Sequence, residues 1–141
     1  MTEKNAKIVA ITLLSMRSYS IFELKIKLRK RGFTEEEILP VIENFEQWGY
    51  LNDGEERQRR VTSYKRRGYS PLQIEIKLKA AGLERKSPLS SEEEREIIRK
   101  LLDKPSWKRK SFQQKVGSLQ RRGFTRASIF ACLKKGDEFW S

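Results

Sequence analysis

The stretch Tyr19-Ser20-Ile21-Phe22-Glu23-Leu24-Lys25-Ile26-Lys27-Leu28-Arg29-Lys30-Arg31-Gly32-Phe33-Thr34 carries signals for both ends of one helix. Ser20 followed three residues on by Glu23 is a capping box, in which two side chains satisfy orphan amides at a helix start. Gly32, twelve residues after the serine, is the residue usual just past a helix end, where the backbone turns left-handed. The same spacing returns at Ser70/Gln73/Gly82 and at Ser111/Gln114/Gly123. Three copies of one helix design make an internal repeat.

The copies agree beyond their anchors. Tyr19-Ser20 reappears as Tyr69-Ser70, and Ile26-Lys27-Leu28 as Ile76-Lys77-Leu78. The third copy is more distant, with Lys110 in place of the tyrosine and Gly117 in place of Ile26, yet Arg31-Gly32-Phe33-Thr34 returns as Arg122-Gly123-Phe124-Thr125. No segment alternates with a period of two. The expectation is an all-α chain of about eight helices, arranged as tandem three-helix repeats that form an elongated, curved array. The repeats are placed at 1–51, 52–90 and 91–141, each too small to be stable alone.

Helices are expected at about 5–16, with Ile8, Ile11 and Leu14 as the apolar stripe, and at 21–31, burying Phe22, Leu24 or Ile26, and Leu28. A third, opened by Thr34 and Glu37, buries Ile38, Val41, Ile42, Phe45 and Trp48, with a kink or late restart at Pro40. Asp53 is the candidate cap for a helix over 54–67, and Pro71 begins one over 71–81. After Gly82 the helical pattern fails, so the third helix of the middle repeat is absent or degraded to a loop. Ser91-Glu92-Glu93-Glu94 caps a helix running to Asp103, which Pro105 stops, and the last two cover 112–122 and 126–135.

Charge points to the partner. The 141 residues hold 31 Lys+Arg against 19 Asp+Glu, a net charge of +12, which suits nucleic acid first, then an anionic membrane or an acidic protein surface. There is no histidine and one cysteine, Cys132, read as a small core residue. The chain therefore lacks a disulfide framework, a thiolate metal site and the commonest general base. The acidic triplets at 35–37 and 92–94 sit in first helical turns, where capping and the helix dipole explain them. With no phosphate loop and no nucleophile–base pair, no catalytic, cofactor or metal residue is assigned, and an enzyme is not expected. No stretch is long enough to span a membrane. Ile8–Leu14 faintly resembles a secretory signal, but Arg17-Ser18-Tyr19-Ser20 follows where a cleavage site should stand, so a cytoplasmic location is expected.

Residues 57–67 carry six positive charges and no negative one. At about 100° per residue, Arg59 and Arg66 share one column and Arg60 and Arg67 the next, while Val61 faces away. Arginine suits bidentate contact with phosphate or carboxylate, so these four are candidate partner contacts, against the alternative of a merely solvated face. Arg29-Lys30-Arg31 and Arg121-Arg122 end the second helix of the first and third repeats and are candidates as well, although cations there also complement the helix dipole. Phe33, Phe45, Trp48, Phe124 and Phe130 stand at core spacings. Trp107, amid Lys104, Lys108, Arg109 and Lys110, is the one aromatic in a basic setting, where core packing is weighed against base stacking.

Taken together, Tyr19-Ser20 through Gly32-Phe33, Trp48-Gly49-Tyr50-Leu51-Asn52-Asp53, Arg66-Arg67-Gly68-Tyr69-Ser70-Pro71 and Lys79-Ala80-Ala81-Gly82-Leu83 resemble the RecX family of bacterial recombination regulators. The third repeat matches more loosely through Arg121-Arg122-Gly123-Phe124. The resemblance implies a small monomeric protein that lies in the groove of the RecA–single-stranded-DNA filament and restrains its ATPase, strand-exchange and coprotease activities. Its roles would fall in homologous recombination, DNA repair and the SOS response. Two features depart from the family pattern: Glu55-Glu56-Arg57 stands where an aromatic and alanine are usual, and the third helix of the middle repeat is missing. The alternative is a helical module that binds DNA or RNA directly, independent of RecA.

Overall fold

A computed structural model describes residues 3–133. Among them are nine helices and no strand: α1 Glu3–Met16, α2 Ile21–Lys30, α3 Glu35–Gln47, α4 Asp53–Arg66, α5 Pro71–Ala80, α6 Ser91–Leu102, α7 Pro105–Lys108, α8 Phe112–Arg122 and α9 Arg126–Cys132. Residues 134 and 135, the expected end of the last helix, lie outside the described residues. Contacts divide the chain into two compact units, one running to Arg59 and including Leu78–Glu84, the other comprising Arg60–Lys77 and the chain from Arg85 on.

In the first unit α1, α2 and α3 pack on one another around Leu24, Leu28, Ile38, Val41 and Phe45, all essentially inaccessible to water. The expected stripe of α1 is rotated. Ala6, Ala10 and Leu13 face the core, whereas Ile8 and Ile11 are exposed. Small alanines let α1 lie close to its neighbours, and tertiary packing, not side-chain size, chooses the buried face. Phe22 and Trp48 are also exposed rather than buried, as is Phe130 in the second unit. Pro40 causes no late restart, because α3 is continuous from Glu35. The carbonyl that its missing amide leaves unpaired belongs to Glu36, on the exposed side, where water can satisfy it.

Capping differs from expectation in detail. Asn52, not Asp53, caps α4: its Oδ1 accepts from the Glu55 amide at 3.1 Å. Asp53 instead accepts from the Ile21 amide at 2.9 Å and so serves the start of α2. Ser90, not Ser91, caps α6, in a full box with Glu93. α6 ends at Leu102 with Asp103 as its C-cap, close to the expected stop before Pro105, and Pro105 itself opens the one-turn α7, where a residue lacking N–H costs little. No helix occupies residues 81–90.

The repeat anchors do more than cap. Ser20 Oγ accepts from the Glu23 amide at 3.1 Å and also donates to the Ala81 carbonyl at 2.5 Å, just before Gly82. In the second unit Ser70 Oγ accepts from the Gln73 amide at 3.2 Å and donates to the Arg122 carbonyl, just before Gly123. Each serine thus joins the start of its own helix to the glycine end of the next copy. Ser20 is fully buried. Its replacement by Ala removes a cap worth about 1 kcal/mol and orphans a buried carbonyl at about 1–2 kcal/mol more. Ser20→Ala should therefore lower stability by about 2–3 kcal/mol in urea unfolding, against about 1 kcal/mol for Thr34→Ala, whose exposed hydroxyl bonds only to Glu37 within its own capping box. Equal losses would show that the Ala81 bond contributes nothing.

Candidate functional site

The candidate cations occupy different settings. Arg59 is exposed but engaged: its guanidinium lies 2.7 Å from Glu56 and 3.9 Å from Glu55. Glu56 is buried and also accepts from Ser18 Oγ at 3.1 Å, so Arg59 neutralises a carboxylate inside the first unit. The acidic departure from the family pattern thus has a structural task. Arg57 Nε donates to the Leu83 carbonyl at 3.1 Å, which fixes it as well.

In the second unit Arg60 is half-buried, while Arg66 and Arg67 are exposed. Val61 points inward at 3% exposure, so α4 does divide into a buried and a cationic side. Lys65 pairs with Glu93 and holds the Glu93 carboxyl below its ordinary range, chiefly through that hydrogen bond.

Arg29 is paired with Glu35, its Nε 2.7 Å from the carboxylate, whereas Lys30 and Arg31 are exposed. Arg121 and Arg122 are exposed at the end of α8. A pattern emerges that the single-helix reading did not stress. Lys30-Arg31, Arg66-Arg67 and Arg121-Arg122 each expose two cations immediately before a glycine of positive φ, namely Gly32, Gly68 and Gly123. Helix C-termini favour cations through the backbone dipole, which accounts for the positions of these pairs.

Trp107 is buried at 5% exposure, which decides for packing over base stacking. Cys132 is half-buried, and burial pushes its thiol pKa up, disfavouring the reactive thiolate. Among the described residues no cluster of metal-ligating side chains occurs, and no helix is long and apolar enough to cross a membrane. An apolar groove of about 620 Å³ in the first unit, lined by Ile11, Leu14, Ser15, Phe45, Trp48 and Tyr50, escaped the sequence reading because Ile11 and Trp48 were assigned to the core.

The described residues define an all-helical protein of repeated capped helices with exposed cation pairs at helix ends. Residues 6–45 match the family model for RecX, first three-helix domain. The chain is 28% identical over 131 residues to the regulatory protein RecX of Pasteurella multocida, covering 92% of this chain and 72% of that protein. It is 46% identical over 56 residues to the regulatory protein RecX of Pelodictyon phaeoclathratiforme, covering 38% of this chain and 35%, about a third, of that relative's length. The crystal structure of RecX from Lactobacillus salivarius is similar with a TM-score of 0.79 at 18% identity, over 96% of each chain, and so shares the fold. These similarities are all to RecX proteins.

Proposed function

We propose that this protein binds the RecA–single-stranded-DNA filament in the cytoplasm and restrains its ATPase, strand-exchange and coprotease activities without itself being an enzyme. The observation that carries the reading is the recurrence of exposed cation pairs before Gly32, Gly68 and Gly123 in a chain of net charge +12 that is similar to RecX proteins. An acidic groove containing phosphate backbone is the complementary surface for such pairs. The contacts assigned are Arg59, Arg60, Arg66 and Arg67, with Lys30 and Arg31 beside Arg29, and Arg121 and Arg122.

The deciding experiment is RecA ATPase on single-stranded DNA, titrated with this protein. A fall at amounts well below those that coat the DNA supports filament binding. No effect at any ratio rejects it, and an effect only at coating amounts indicates direct DNA binding instead. Replacing Arg59, Arg60, Arg66 and Arg67 together by Ala should weaken filament binding on the order of 100-fold, about 3 kcal/mol in binding free energy, with helical circular dichroism retained. Because Arg59 also neutralises Glu56, the Arg66→Ala/Arg67→Ala pair is the cleaner probe, with an expected loss of about tenfold. Unchanged affinity in both variants would remove α4 from the interface.

A further inference from the structure

The second unit contains a cavity of about 530 Å³ between the end of α8, the one-turn α7 and the start of α5. Its wall carries three cations, Lys110, Arg121 and Arg122, and no carboxylate. The buried Trp107 ring forms the platform, with Lys110 Nζ 5.4 Å and the Arg122 guanidinium 5.2 Å from its centroid. Attraction to the indole face offsets part of the repulsion between the two like charges. The Arg122 backbone is tied down by the Ser70 hydroxyl, and Arg121 Nη2 donates to Ser118 Oγ at 3.3 Å. Arg121 lies across Gly117, where a Cβ would approach its Nη1 to 3.1 Å, so glycine leaves room for the guanidinium at this point of α8.

The neutral lining presents donors too. Gln73 Oε1 is committed to the Ser70 amide at 2.9 Å, which leaves its side-chain NH₂ for a ligand. Ser118 Oγ accepts from Arg121, so its own proton remains to be given, and Ser106 adds a second hydroxyl. A cavity lined by three cations and by donors suits a compact anion made of acceptors only. A tetrahedral phosphate presents several oxygens to such a lining, whereas a carboxylate presents two. The dipole at the end of α8 opposes an anion by about half a charge, which three cations outweigh. Since Trp107 is buried beneath the cations, the cavity offers no stacking face for a base.

We propose that this cavity is a phosphate-binding site that takes a backbone phosphate of single-stranded nucleic acid without reading sequence. The strand as the source of that phosphate rests on the function proposed above; the preference for phosphate does not.

The test follows amide resonances of the whole chain during titration with inorganic phosphate at constant ionic strength, and separately with an oligothymidylate. Phosphate should shift Gln73, Ser106 and Ser118 saturably. The Lys110→Gln/Arg121→Gln variant should lose that response with its helical circular dichroism unchanged. In the second arm the variant should bind oligothymidylate about tenfold more weakly, with a logarithmic salt slope shallower by about 0.7, the value for one lost single-strand phosphate. A response to both ligands supports the site and the strand. Phosphate alone acting supports the site with a free phosphate or small phosphorylated molecule as its ligand, and oligothymidylate alone acting supports the strand. Silence from both, or a variant that responds like its parent, overturns the proposal. Neither arm contains RecA, so failure here is separate from failure of the filament reading.

Discussion

Gly82→Ala is expected to destabilise the protein by about 3 kcal/mol, while Gly68→Ala costs only about 1 kcal/mol. Both glycines hold a left-handed backbone, with φ of +73° and +80°, so the conformational strain of adding a Cβ is similar. Their surroundings differ. A Cβ at Gly68 meets nothing within 4 Å, whereas one at Gly82 would sit 2.4 Å from Phe22 Cβ and 2.8 Å from its Cγ. That overlap cannot be relieved by turning a side chain, because the nearest atom is fixed to the backbone of α2. Phe22→Ala should accordingly fail to rescue Gly82→Ala, since alanine keeps the offending Cβ. The thermal midpoint of Gly82→Ala should fall by roughly 10 °C, against a few degrees for Gly68→Ala. Comparable midpoints for the two would mean that α2 does not seat on this glycine. Gly123 repeats the arrangement, with Leu72 Cβ at 2.5 Å from the added carbon.

Glu94→Ala should cost about 3–4 kcal/mol, the sum of three hydrogen bonds lost from a buried carboxylate. Glu94 is 5% exposed and accepts from the Thr125 amide at 2.7 Å, the Thr125 hydroxyl at 3.0 Å and the Ser128 hydroxyl at 2.8 Å. One carboxylate on α6 therefore secures the start of α9, the helix it packs against. Glu94→Gln should cost only about 1 kcal/mol, because its oxygen can serve the Thr125 amide while its NH₂ donates to the hydroxyls, which can accept by rotating. Urea unfolding of the two variants tests this. Equal losses would show that the negative charge, not the hydrogen-bond count, matters at this position.

Glu94 also shows where reading the chain alone falls short. In sequence it is the third of three glutamates in a first turn, and the helix dipole accounts for all three equally. Only the packing of α6 on α9 separates it from Glu92, which is exposed and pairs with Arg99 at 3.1 Å. Ile8 and Ile11 failed for a related reason. A helical stripe identifies apolar residues that could be buried together, but α1 offers a second stripe of alanines, and close approach favours the smaller one. The cationic side of α4 was legible, because charge spacing along one helix needs no partner to interpret. That Arg59 is held by a buried Glu56, whereas Arg66 and Arg67 are exposed, was not, because Glu56 accepts from Ser18, in the distant connection between α1 and α2.

The serine–glycine spacing by itself determined the helical class, the repeat and both ends of α2, α5 and α8, since caps and left-handed glycines act over a single turn. It carried no information on what those ends touch. Tertiary structure alone decided that Ser20 reaches the Ala81 carbonyl and Ser70 that of Arg122, and that Phe22 and Leu72 fill the space beside Gly82 and Gly123. The physical reason is range. A cap is satisfied by its own chain three residues away, whereas these contacts join residues 61 and 52 positions apart, brought together only when the helices pack.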